Sequence, residues 1–109
     1  MELSTIFSAL GDPTRIAIVS RLAQGQASVS ELAEPFKMSQ QAISKHVGVL
    51  CRAGLVRQTK RGRVRSCELV KEPLAEMSTW IDAKQAEWTA RFDRLDEYLK
   101  STQGVPGDD

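Results

Sequence analysis

Apolar positions recur along the chain at helical spacing, broken by capping residues and glycines at regular intervals. Leu3, Ile6, Phe7 and Leu10 stand at i, i+3, i+4 and i+7, one face of a helix that Gly11 ends. Asp12 and Pro13 then read as N-cap and first position of a second helix, whose core stripe is Ile16, Val19 and Leu22 and whose limit is Gly25. Ser30 reads as the next N-cap, with Leu32, Ala33 and Phe36 as a short apolar face. Pro35 removes a backbone donor near the end of the first turn, so that helix is expected to be short or distorted. Met38 and Ser39 form a turn into a third cap, and Ile43, Val47 and Leu50 define the buried side of a helix over 40–53 that Gly54 stops. Beyond Leu55 and Val56 the segments 57–60 and 64–69 are extended in character, with Arg61-Gly62-Arg63 at the tip and Gly62 able to take the positive φ of a tight hairpin. From Pro73, Leu74, Ile81, Trp88 and Leu95 repeat every seven residues, with Met77, Phe92 and Leu99 between them. That pattern predicts one amphipathic helix over 73–100, roughly 40 Å long at 1.5 Å per residue.

Two helices joined by a turn of about four residues, followed by a hairpin, make a winged helix-turn-helix: mainly α with a small β-hairpin wing, an α+β class. The expected organisation is one domain over 1–100, including the long C-terminal helix, and a polar, disordered tail over 101–109. In 109 residues, 41% of them hydrophobic, the core is small, and a helix of that length needs a partner to cover it. There is no run of about 18 apolar residues to span a membrane and no basic, apolar leader, and the two cysteines form neither a disulfide framework nor a zinc-binding spacing. These features fit a reduced, cytoplasmic protein.

Charge sharpens the picture. Residues 37–65 hold eight of the fifteen Lys and Arg residues and none of the fourteen Asp and Glu, so a net charge of +1 conceals a local cation in an otherwise acidic chain. A basic helix is often only a solvated face, but here the charge coincides with the cap, the turn and the wing. On the helix over 40–53, Gln40, Gln41, Ser44, Lys45 and Gly48 lie opposite the apolar stripe, with His46 at its edge. Gln pairs with adenine N6/N7, Lys with guanine O6/N7, and Ser with either, so these are the candidate base readers in a major groove. Ser39 caps the helix, whose free N–H groups would hold a phosphate. Arg61 and Arg63 are assigned to the neighbouring minor groove, and Lys37, Arg57, Lys60 and Arg65 to phosphates. His46 would bond either a phosphate or a backbone carbonyl, and Gly48 either permits close approach to DNA or is merely tolerated. The implied partner is double-stranded DNA. One histidine, no nucleophile–base spacing and no glycine-rich phosphate loop argue against an enzyme. A rival reading is a protein-interaction module on the same fold, which would favour a neutral or acidic recognition face.

With those residues in place the chain resembles the ArsR family of winged-helix repressors. The resemblance rests on Ala9 through Arg15, Glu31-Leu32-Ala33, Ser39 through His46, Leu50, Ala53-Gly54-Leu55-Val56 and Gly62-Arg63, and covers about residues 3–70. It implies a homodimeric, cytoplasmic regulator that pairs through its first and last helices and binds palindromic operators. Its dimer contacts would be Leu3, Ile6, Phe7, Leu74, Met77, Ile81, Trp88, Phe92, Leu95 and Leu99. Metal-sensing members carry a Cys-x-Cys at the start of the third helix or histidines along the last. This chain has Ser28-Val29-Ser30-Glu31 and no C-terminal histidine, so no metal site and no cofactor are expected, and the effector is unknown. Cys51, expected on the exposed side of the recognition helix, and Cys67 on the wing are either a thiol switch for a redox-responsive repressor or two ordinary reduced thiols. Trp80 and Trp88 read as interface or core anchors.

Overall fold

The computed structural model describes residues 2–103. Its elements run α1 (Leu3–Ala9), α2 (Pro13–Leu22), β1 (Ala27–Ser28), α3 (Val29–Ala33), a 3-10 turn (Glu34–Phe36), α4 (Gln40–Arg52), β2 (Val56–Arg61), β3 (Val64–Leu69) and α5 (Lys71–Gln103). The described residues fall into two compact units, divided between Met77 and Ser78. The first holds the winged helix-turn-helix, and α5 passes through both.

Local chemistry explains most boundaries. The Asp12 carboxylate accepts from the backbone N–H of Thr14 (2.9 Å) and Arg15 (3.1 Å), and Pro13 occupies the first turn of α2. At α3 the cap is Ser28 and not Ser30. Ser28 Oγ accepts from Glu31 N–H at 3.1 Å while Glu31 Oε1 accepts from Ser28 N–H at 2.8 Å. The Ser-x-x-Glu spacing that closes this box starts at Ser28, whereas three residues beyond Ser30 stands Ala33. Pro35 falls in the 3-10 turn that follows, as the sequence led us to expect, and Lys37 then takes φ +55°, a left-handed conformation unusual for a side chain of this type. Ser39 Oγ caps α4 through Ala42 N–H at 3.1 Å. The other end of α4 is closed by a paired-bond motif: Leu55 N–H donates to Leu50 C=O at 2.9 Å and Gly54 N–H to Cys51 C=O at 3.0 Å. Gly54 holds φ +78° there, and the side chains of Leu50 and Leu55 are fully buried.

The sheet has three strands in the order β1-β3-β2, all antiparallel. The hairpin was expected, but β1 was not: two residues pairing Ala27 with Cys67 and Ser28 with Ser66 are too short to leave a periodic signal. Arg61 still belongs to β2, opposite Val64, so the loop is Gly62-Arg63 alone, with Gly62 at φ +61°.

The core of the first unit is built from Ile6, Ile18, Leu32, Ile43, Val47, Leu50, Leu55 and Cys67, all essentially without exposure. The face of α2 is therefore set by Ile18 and Leu22, with Val19 beside them, and the expected core residue Ile16 is 51% exposed. Ile16 precedes Ile18 by two positions, about 200° around a helix, so only one of them can face inward. α5 begins two residues before Pro73, which sits in the first turn, where its missing N–H has no intrahelical acceptor to lose. It also continues through 101–103, part of the segment expected to be disordered; residues 104–109 of that tail lie outside the described residues.

Candidate nucleic-acid interface

α4 presents the face expected of it. Ile43, Val47 and Leu50 are buried, Gln40, Gln41 and Lys45 are exposed, and Ser44, His46 and Gly48 are half-buried. A cleft of about 670 Å³ runs along the start of this helix, lined by Ser39, Gln40, Gln41, Ala42, Ser44, Lys45 and Arg65. Four of the expected readers and one expected anchor thus meet in one concave surface. Ser39 satisfies the N–H of Ala42, while the N–H groups of Gln40 and Gln41, in the first turn, have no carbonyl within the helix to bond. Such donors suit a phosphate oxygen.

One expected reader, Ser44, and His46, expected at a phosphate or a backbone carbonyl, are held from inside the protein. Arg65 Nη2 donates to Ser44 Oγ at 2.8 Å, tying the wing to α4. His46 meets neither a backbone carbonyl nor open solvent alone: Arg15 Nη1 lies 3.2 Å from its Nδ1, and the Asp12 carboxylate 3.8 Å from the same atom. Nothing in local periodicity pairs residues 12 and 15 with residue 46, so this network was missed. Its trace in the sequence is the pair of segments Asp12-Pro13-Thr14-Arg15 and Ser44-Lys45-His46, which are informative only together.

The wing divides its cations between two faces. Val56 and Cys67 are buried, and side chains alternate along a strand, so the cross-strand pair Lys60 and Arg65 shares their face. That is the face from which Arg65 reaches α4. Arg57 and Arg61 take the opposite face, and Arg63 sits in the two-residue loop. Arg57 lies opposite Glu68 and bonds it at 3.3 Å. Both side chains are exposed, so this pair is a weak one at the base of the wing, and the assignment of Arg57 to phosphate stands as an expectation. Lys37, Lys60, Arg61 and Arg63 are exposed, as anchors must be.

Neither cysteine fits a thiol switch. Cys51 is half-buried against the core and not on the exposed side of α4, and Cys67 is wholly buried in β3. Desolvation pushes both thiols up, with Arg52 partly opposing it at Cys51 and the Cys51 charge adding to it at Cys67. A raised pKa and poor access both disfavour the reactive thiolate.

The expected dimer contacts separate in the same way. Ile6 is part of the core and is withdrawn from that list, and Leu3, Leu74 and Met77 pack partly against the core. In the second unit Ile81, Trp88, Phe92, Leu95 and Leu99 are 40–60% exposed, with Trp88 and Phe92 in edge-to-face contact at 4.7 Å between ring centres. Among the described residues no helix is long and apolar enough to cross a membrane.

Residues 10–59 match the family model described as a helix-turn-helix domain. The chain is 42% identical over 76 residues to an HTH-type transcriptional regulator of Mycobacterium tuberculosis, covering 70% of this chain and 71% of that one. It is 35% identical over 81 residues to the arsenical resistance operon repressor of Staphylococcus xylosus, covering 74% and 78% respectively. Among solved structures, an ArsR family transcriptional regulator superposes with a TM-score of 0.76 at 45% identity, covering 80% of this chain and 90% of that one.

Proposed function

The chain belongs to the ArsR family of helix-turn-helix transcriptional regulators, DNA-binding proteins and not enzymes, and from that premise we propose a homodimeric repressor that binds a two-fold-symmetric operator. The observation that carries the proposal is the cleft at the start of α4, where exposed Gln40, Gln41 and Lys45 stand beside Arg65 in a stretch without a single acid. Gln40, Gln41 and Lys45 read base edges in the major groove. Lys37, Lys60, Arg61 and Arg63 hold the backbone or the adjacent minor groove, and the first-turn N–H groups of α4 hold one further phosphate. Ser44 supports Arg65 in place of reading a base itself.

Pairing is proposed through α1 and α5. The exposed apolar stripe from Ile81 to Leu99 supports it, since large apolar patches are seldom left open to water. A two-fold dimer presents two copies of α4, so its operator has inverted half-sites about 34–36 Å apart, one turn of the duplex. Repression follows from occupancy: a dimer seated across a promoter excludes the polymerase. The test is selection of duplexes from a randomised pool by the purified chain. The expected result is an enriched inverted repeat with that spacing; enrichment of a single half-site, or of nothing, contradicts the proposal.

A further inference from the structure

One side chain links three helices at the junction behind the recognition helix. Arg15 Nε donates to the C=O of Ala9, the last residue of α1, at 2.6 Å. The backbone N–H of Arg15 is itself fixed by the Asp12 cap at 3.1 Å. Its Nη1 lies 3.2 Å from Nδ1 of His46 in the middle of α4. A guanidinium is a rigid planar fork that never loses its charge, so a single group holding two acceptors on different helices fixes their separation and rotation together. His46 is half-buried, between Lys45, exposed in the cleft, and Val47 in the core. A turn of α4 about its axis would therefore move Gln41 and Lys45 across the groove.

We propose that Arg15 is a positioning residue for base recognition: through His46 it sets the rotation of α4 relative to α1 and α2, and so governs sequence discrimination without touching DNA. Nδ1 takes the acceptor role toward Arg15 in the tautomer that carries its proton on the other ring nitrogen. Asp12, 3.8 Å from the same Nδ1, closes the cluster on the α2 side. Because α1 is one of the two helices proposed to pair, the link also runs from the dimer surface to the reading surface. The inference rests on the reading of α4 as the DNA-recognition helix.

The test compares two duplexes, one selected by the wild-type chain from a randomised pool and one of scrambled sequence and equal composition. Arg15→Ala and His46→Ala are each expected to reduce preference for the selected duplex by about tenfold to a hundredfold, the range for a lost charge-assisted hydrogen bond. The double variant should lose no more than the worse single one, since the two act as a unit. His46→Asn, whose amide oxygen can stand where Nδ1 does, should keep preference within about threefold of wild type, a rescue that a simple loss of packing would not give. Additive losses, failure of His46→Asn to rescue, or equal weakening on both duplexes would overturn the inference, the last because it marks Arg15 as a phosphate anchor. Should the wild-type chain itself select nothing, the reading of α4 as a recognition helix falls and the inference with it.

Discussion

Gln41 and Ser44 sit one turn apart on the same helix, and both side chains can bond base edges, yet the protein treats them differently. Gln41 is exposed in the cleft, whereas Ser44 already accepts from Arg65. Direct readout needs a free donor–acceptor pair, so Gln41→Ala is expected to relax preference at one base position per half-site by about 1–3 kcal/mol. Arg61 carries charge on the outer face of the wing, so Arg61→Ala should weaken binding to operator and non-operator DNA alike. Titrating both variants against a panel of single-base operator changes checks the division; identical profiles would refute it. The free side chains could be read from the sequence because amphipathic spacing alone places Gln40, Gln41 and Lys45 opposite Ile43, Val47 and Leu50. The engaged ones could not. Arg65 with Ser44, Arg15 with His46 and Arg57 with Glu68 are paired by tertiary packing or strand register, which no local pattern encodes.

At the scale of elements, the caps decide where helices begin, and two of them depend on charge. The Asp12 carboxyl is held below the usual carboxylate range chiefly by the Arg15 backbone N–H, helped by Thr14 N–H and the charge of Arg15. The Glu31 carboxyl is lowered by the N–H and hydroxyl of Ser28. Each group binds a proton less readily folded than unfolded. Its stabilisation is therefore complete above the unfolded pKa, about 4, and is lost as pH falls through the depressed folded pKa. Melting temperature should hold near pH 6 and drop below about pH 4.5, and the combined variant Asp12→Asn, Glu31→Gln should show a shallower acid drop than wild type. Equal drops by calorimetry would mean that these caps do not carry the acid sensitivity. The helices, the recognition turn and the hairpin were all legible because caps, glycines and apolar spacing agree there. Three details were not: β1 is too short for periodicity, Ser30 competed with Ser28 as a cap, and Ile16 competed with Ile18 for the inward side of α2. Each is a choice between near neighbours that the rest of the fold makes.

The molecule as a whole sets a basic stretch against an acidic remainder, and in the second unit it leaves an aromatic and aliphatic stripe on α5 open. If that stripe pairs two chains, Trp88→Glu buries a charge in the interface and should yield monomers by sedimentation, with operator affinity falling because each half-site is then bound alone. A persisting dimer would place the interface elsewhere. The central claim, that residues 37–65 form a surface for duplex DNA, is tested most directly by operator affinity as a function of salt. A dimer making 6–10 phosphate contacts through Lys37, Lys60, Arg61, Arg63 and the first turn of α4 should give a log–log slope of about −5 to −9. A slope near zero would contradict it.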